Sequence, residues 1–349
     1  MFLDLAPSYS TSHCQPAHRG RWILRILSLF CSLGASLTVQ AAVDGNSATA
    51  LLAKYATLTD QLSRNNFQRP LHLESSESPN GLKGDIYAVV EHPFSAVDAA
   101  LNSPAHWCEA MILHINNRQC QVSPPSAATN GAAVLTLSIV RKYDQPLEQA
   151  FRVPFVYRKE THAAGYFSSK LSADSGPMGT SNYQILLEVV PLAGKRSFLH
   201  FAYSYDTNFI AQATMAAYLA TFGSGKVGFT VVTPVTQSES IGEGSREIKI
   251  EPVYIRGMRG LMERNAMRYY LAIEAYLAHM NAPSIEQLDK RLNSWFSQIE
   301  RYPKQLHEAD RTTYLRLKRA DYATMQSTLG TPPEAASGTV TMPGTGATR

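Results

Sequence analysis

GLMERNAMRYYLAIEAYLAHM, residues 260–280, holds the longest uninterrupted helical pattern downstream of the N-terminal leader. Met262, Ala266, Tyr269, Ile273, Tyr276 and Met280 recur at steps of three and four, with Tyr270 and Leu277 widening the stripe. That spacing predicts a helix with one broad apolar face. Glu263, Arg264, Arg268, Glu274 and His279 fall largely off the stripe, and Pro283 stops the helix just beyond it. A face this wide has to be covered by something, and a long run of strands precedes it.

Those strands are legible by period two. Leu135, Leu137 and Ile139 alternate with Thr136 and Ser138, and Phe151, Val153, Phe155 and Tyr157 with Arg152, Pro154 and Val156. Tyr183, Ile185, Leu187 and Val189 do the same, as do Leu199, Phe201, Tyr203 and Tyr205. Adding residues 84–91, 111–116, 163–171 and 226–232 gives eight expected strands. Regular alternation implies an antiparallel sheet with one apolar face. Around it the pattern predicts helices over 46–65, over 94–107 with a break at Pro104, and over 209–222. Residues 74–81 and 233–246 read as loops. After the long helix come two more, over 285–300 with a capping box from Ser284 to Gln287, and over 304–326 with solvated charged faces.

The chain has 349 residues, 44% of them hydrophobic, and a formal charge of +4. That is enough for a substantial core. Its basic residues are scattered, whereas phosphate binding needs a basic stripe, so nucleic acid is not an expected partner. Arg19, Arg21 and Arg25 surround the start of an apolar run over 22–39, and Val39-Gln40-Ala41 places small side chains where a signal peptidase reads. The expectation is a periplasmic or secreted protein cleaved after Ala41 or Ala42; the alternative is an uncleaved membrane anchor. Cleavage takes Arg19, Arg21, Arg25 and Asp4 away, lowering the charge from +4 to +2. It also leaves two cysteines, Cys108 and Cys120, which in an exported protein read as a disulfide, with the chain turning back near Asn116-Asn117. Two free buried thiols are the alternative. The expected organisation is a signal peptide over 1–41, a helix and loop over 42–83, a main domain over 84–282, a helical extension over 283–329 and a disordered tail over 330–349.

GDIYAVVEHPFSAVDAAL, residues 84–101, runs a strand through His92-Pro93-Phe94 into a helix. Together with the later strands and GLMERNAMRYYLAIEAYL, it resembles the helix-grip fold of the START-like, or SRPBCC, superfamily over roughly residues 84–280. The resemblance implies an α+β protein in which a curved antiparallel sheet wraps a long C-terminal helix and leaves a cavity between them. The helix over 209–222, the loop after Thr233 and the helices beyond Pro283 depart from the compact members.

Catalytic spacings are scarce. There is no G-x-S-x-G elbow, H-E-x-x-H helix or C-x-x-C pair, so neither metal nor cofactor is expected. His114 and His200 are the candidates for acid or base. The ligand-lining candidates are Tyr157, Tyr183, Phe201, Tyr203, Tyr205, Tyr269, Tyr270, Ile273 and Tyr276; each tyrosine offers a ring with one polar tip. Arg264 and Arg268, one turn apart, are placed to orient a carboxylate or phosphate head group. These readings converge on an exported protein that binds a hydrophobic small molecule or lipid as carrier, sensor or transfer protein, with transient membrane contact; oligomeric state is left open. The alternatives are a cyclase, dehydratase or hydrolase on the same fold, and a non-binding envelope scaffold.

Overall fold

The computed structural model describes residues 43–163, 165–221, 225–232 and 252–330. The signal peptide expected over 1–41, the loop expected over 233–246 and all but the first residue of the tail expected over 330–349 lie outside the described residues. Eight strands form one sheet: Leu71–Ser78 (β1), Gly81–Val90 (β2), Asn117–Ser123 (β3), Ala133–Ile139 (β4), Phe151–Ala163 (β5), Tyr166–Ser175 (β6), Ser181–Leu192 (β7) and Arg196–Asp206 (β8). Their order is β1-β2-β8-β7-β6-β5-β4-β3, and every neighbouring pair is antiparallel. Register shifts between Lys159 and Thr161 and between Ser181 and Gln184 mark irregularities of the kind that bend a sheet.

Eight helices accompany the sheet among the described residues: Val43–Ser63 (α1), Phe94–Leu101 (α2), Pro104–Met111 (α3), Phe209–Thr221 (α4), Gly257–Ala278 (α5), Ser284–Ile299 (α6), Pro303–Leu306 (α7) and Arg311–Gly330 (α8). α5 lies on the inner face against β1, β2 and β8, while α3 reaches from α5 to β3 and β4. Gly84 permits the close approach: a Cβ there would stand 3.1 Å from that of Ala266 and 3.3 Å from Met262 Cγ. One continuous core joins the inward side chains of the sheet to α5 and to α6, α7 and α8, with Trp107, Trp295, Tyr270 and Tyr314 among its fully buried members. Each such side chain contributes on the order of 2–3 kcal/mol by leaving water. A second cluster forms on the outer face, where Leu51, Leu58 and Leu62 of α1 cover Tyr87, Val89, Val190 and Phe198.

Among the described residues the strands number eight, as expected, but two members differ. Residues 111–116 are not a strand; α3 ends at Met111 and a turn follows, because that stretch is apolar without a period and is buried on all sides. Residues 226–232 likewise make no strand, only a single bridge between Val231 and Tyr254. In their place stand β1, which occupies most of the expected loop over 74–81, and β3. Both are edge strands, and with few apolar residues they carry little period-two signal. The chain reverses between α3 and β3 rather than at Asn117, and so brings Cys108 and Cys120 into a disulfide with Cα atoms 5.3 Å apart. In the chain-entropy view, closing a loop of this size is worth about 3 kcal/mol.

The C-terminal helices also differ from expectation. Pro283, not a capping box, precedes α6, and Gln287 Nε2 donates backwards to the carbonyls of Ala282 (2.9 Å) and Met280 (3.2 Å). The helix expected over 304–326 is split into α7 and α8, and α8 does not present its charges only to water. Lys318 and Asp321 are buried against β3, where Arg118 Nε donates to Asp321 at 2.8 Å and the Lys318 ammonium pairs with Asp321 at 3.1 Å and donates to the Asn117 carbonyl.

Candidate functional site

Most of the space between sheet and helix is filled by side chains, but beside the N-terminal half of α5 a cavity of about 320 Å³ remains. Tyr183 on β7, Tyr203 and Tyr205 on β8 and Tyr269 on α5 form an aromatic wall. Their rings lie 5.0–6.1 Å apart, and His114 continues the row 4.7 Å from Tyr269. Met178, Met215 and Leu261 add an apolar side, and Arg264 and Arg268 a cationic one. Lys226 and Glu308 join these arginines, and Arg141, Lys142 and Asp144 also line it. The lining therefore carries more positive than negative side chains.

The phenols are neutral donors in this setting. Burial pushes the Tyr183 and Tyr269 hydroxyls up to about 12 and raises those of Tyr203 and Tyr205 as well. Tyr183 Oη is hydrogen-bonded with Thr180 Oγ1 at 2.7 Å, whereas the buried Tyr205 Oη has no partner. His114 lies in the turn after α3, not in a strand. Burial first, and then the charges of Arg268 and Lys318, hold its imidazole well below the usual range, so it is neutral. Its Nδ1 accepts the Asn116 N–H at 3.1 Å, which leaves the proton on Nε2, and that atom has no partner either. A neutral imidazole whose Nδ1 lone pair is already taken is a hydrogen-bond donor and a poor base. Arg268 gives Nη2 to Glu308 at 2.6 Å and to the Leu306 carbonyl at 3.4 Å, while its buried Nε is unpartnered. Arg264 Nη1 donates to the Val227 carbonyl at 3.4 Å.

The remaining candidates lie elsewhere. Phe201 and Ile273 are fully packed in the core. Tyr270 lies on the opposite side of α5, in the surroundings of Arg69, Glu274 and Tyr302. Tyr276 sits beneath the Arg291 guanidinium at 4.2 Å. Tyr157 borders a separate, open hollow with Pro104, Pro124 and Pro125. The cause is that α5 is covered nearly all round, with α6 on its back, so an apolar stripe alone does not say which positions meet the cavity. Met178, Met215, Lys226, Asn265 and Glu308, which do meet it, have no sequence signal beyond Asn265 lying one residue from Arg264.

His200 is on the outer face of the sheet, away from the cavity. Its ring stacks on Tyr87 at 4.4 Å, with Nε2 2.8 Å from Asp85 and Nδ1 2.7 Å from Glu188. Tyr166 Oη donates to Glu188 at 2.5 Å, and Lys83 pairs with Asp85 at 2.8 Å. Burial opposes charge on the His200 ring, but hydrogen bonds to Asp85 and Glu188 prevail and raise it above 6.5. Both carboxyls are lowered, against burial, chiefly by their bonds to His200. A raised base contributes stability that is complete below 6.5 and is lost as pH climbs through its folded value. A lowered acid contributes stability that is complete above its ordinary value, 3.8 for Asp85 and 4.5 for Glu188, and is lost on acidification. The cluster is therefore strongest between about pH 4.5 and 6.5. The unfolding free-energy difference between the native chain and His200→Phe should be larger at pH 5.5 than at pH 8. Equal differences at the two pH values would rule this out. The comparison between variants is needed because neutral, buried His114 gives the whole chain an opposite slope.

Two features now decide the fold's identity. The motif's first strand, β2, pairs with its last, β8, with two short helices following the first strand, and one long helix lies across the hollow face with a cavity beside it. The chain has a helix-grip fold. No family model matches it, and no curated protein does. Among solved structures it is similar to a truncated norcoclaurine synthase from Thalictrum flavum, at 11% identity over 43% of this chain and 89% of that one, TM-score 0.29. It is also similar to human StAR-related lipid transfer protein 5, at 10% identity over 50% and 90%, TM-score 0.28. A third is the lipid transfer and protein localization domain of human StarD13, at 12% identity over 40% and 71%, TM-score 0.28. Likenesses this faint say nothing about what the chain binds or does. The helix-grip topology of this protein stands on its own strand order.

Proposed function

We propose that this protein is an exported carrier or sensor that holds one small hydrophobic molecule, non-covalently, in the cavity beside α5. The observation that supports it most is the cavity itself: aromatic rings and methionines around about 320 Å³, within the roughly 300–1,000 Å³ of small-molecule sites. At the lower end of that range it suits a single ring system or one acyl chain rather than a two-chain lipid. Export is supported by the apolar leader and by the Cys108–Cys120 disulfide, a bond that persists in oxidising compartments. Transient membrane contact is supported by Phe209, 84% exposed, and Ile210, 72% exposed, at the start of α4, whose Met215 lines the cavity. Non-covalent binding in a preformed cavity requires no catalytic group.

Leu261→Trp tests this directly, because Leu261 is partly buried and lines the cavity, and the larger side chain would fill it. Titration with N-phenyl-1-naphthylamine should give saturable fluorescence in the native chain and at least about tenfold weaker binding in the variant. Unchanged binding in a folded Leu261→Trp protein would place the probe elsewhere.

A further inference from the structure

We infer that the ligand is a monocarboxylate whose two oxygens are received by His114 Nε2–H and Arg268 Nε–H, and this rests on the cavity being a binding site. Both side chains are 4% exposed and line the cavity, and both atoms are buried without a protein partner. An unpaired buried donor is costly, more so if charged, so two of them among the lining residues call for an acceptor. Both are donors only in their present states: the guanidinium has no lone pair to offer, and the Asn116 N–H holds the imidazole proton on Nε2. An alcohol brings one oxygen and competes with its own proton; an amine brings a like charge. A carboxylate brings two oxygens and no proton.

Charge and space select the monoanion. Arg268 Nη2 is already engaged by Glu308, so the fork that would clasp a phosphate is partly taken, and a dianion would face the Glu308 carboxylate. The buried nitrogens left without a partner are one on each of the two side chains, which fits one oxygen apiece. The surroundings stay cationic despite Glu308: besides burial, Arg268 and Arg264 depress the Lys226 ammonium against the pull of Glu308, and Arg268 also depresses His114. A single negative charge at this wall relieves both repulsions.

The test is calorimetric titration of the full chain with three probes of equal length, decanoate, decanol and decylamine, at pH 7.5. The inference predicts decanoate at least about tenfold tighter than decanol, with decylamine weakest. His114→Leu should bring decanoate down to the level of decanol, and His114→Gln, whose amide N–H stands in for Nε2–H, should restore most of the preference. Thermal melts of both variants report whether the fold is kept, and the His114→Gln result stands even if His114→Leu does not fold. Decanoate and decanol within twofold of each other in the native chain would overturn the inference and leave the cavity reading intact. Binding of none of the three would overturn both.

Discussion

Replacing Glu263 with alanine is expected to destabilise the protein by about 3–5 kcal/mol, the scale of breaking a buried ionic hydrogen-bond network. Glu263 is 0% exposed on α5, yet its carboxylate is fully occupied. Ser75 Oγ and Thr230 Oγ1 each donate to Oε1 at 2.6 Å, and the N–H groups of Phe229 (2.5 Å) and Thr230 (2.9 Å) donate to Oε2. Alanine leaves two backbone donors and two hydroxyls without that acceptor inside the protein. The same carboxylate therefore ties three parts of the chain together: β1, α5 and residues 225–232, whose Lys226 borders the cavity. Gly228 makes the close approach feasible, since a Cβ there would fall 2.5 Å from Glu263 Oε2 and 2.9 Å from the Gly260 backbone. Urea unfolding of Glu263→Ala measures the loss, with Glu263→Gln, which keeps one acceptor oxygen, expected to lie between it and the native chain. A cost below about 1 kcal/mol would mean that water replaces the carboxylate, contrary to its burial.

Asp321→Ala should cost about 3 kcal/mol at pH 7, because it removes the partner of a buried cation. Burial pushes the Lys318 ammonium down to about 8, with Asp321 opposing that fall. A base held below its unfolded value of 10.5 sheds its proton early in the folded state, so folding is favoured as pH rises from about 8 towards 10.5. Above pH 8 the ammonium no longer needs Asp321, and the cost of Asp321→Ala should shrink. Arg118 from β3 also loses its partner in this variant, so α8 is loosened from the sheet at two points. One cooperative unfolding transition, shifted as a whole, is expected, since Trp295, Leu306 and Tyr314 share the core with α5. Separate melting of the C-terminal helices would instead make them an independent arm.

The sequence made the central strands and α5 legible because each element buries one face at its own period. Tyr183, Tyr203 and Tyr205 were found as inward positions of β7 and β8 by alternation alone, and Tyr269 by the helical step. The edges were not legible. β1, LHLESSES, has two apolar residues before turning polar, and β3, NRQCQVS, has almost none; both are strands because a neighbour offers its backbone. The reverse error, residues 111–116, comes from burial by α5, α6 and α8, which demands apolar side chains without demanding a strand. His200, a candidate acid or base, alternates with Leu199 and Phe201 and so faces outward, between Asp85 and Glu188 and stacked on Tyr87. The charged half of the cavity was half legible, since Arg264 and Arg268 announce themselves by spacing, whereas Glu308 and Lys226 arrive from distant segments.

Native mass spectrometry of the protein purified from its own host, compared with its mass after solvent extraction, tests the central claim most directly. A small-molecule adduct at near one per chain, released by extraction and missing from Leu261→Trp, is the predicted result. An unliganded mass in the native chain, together with no saturable uptake of N-phenyl-1-naphthylamine, would contradict the claim that the cavity beside α5 is a binding site.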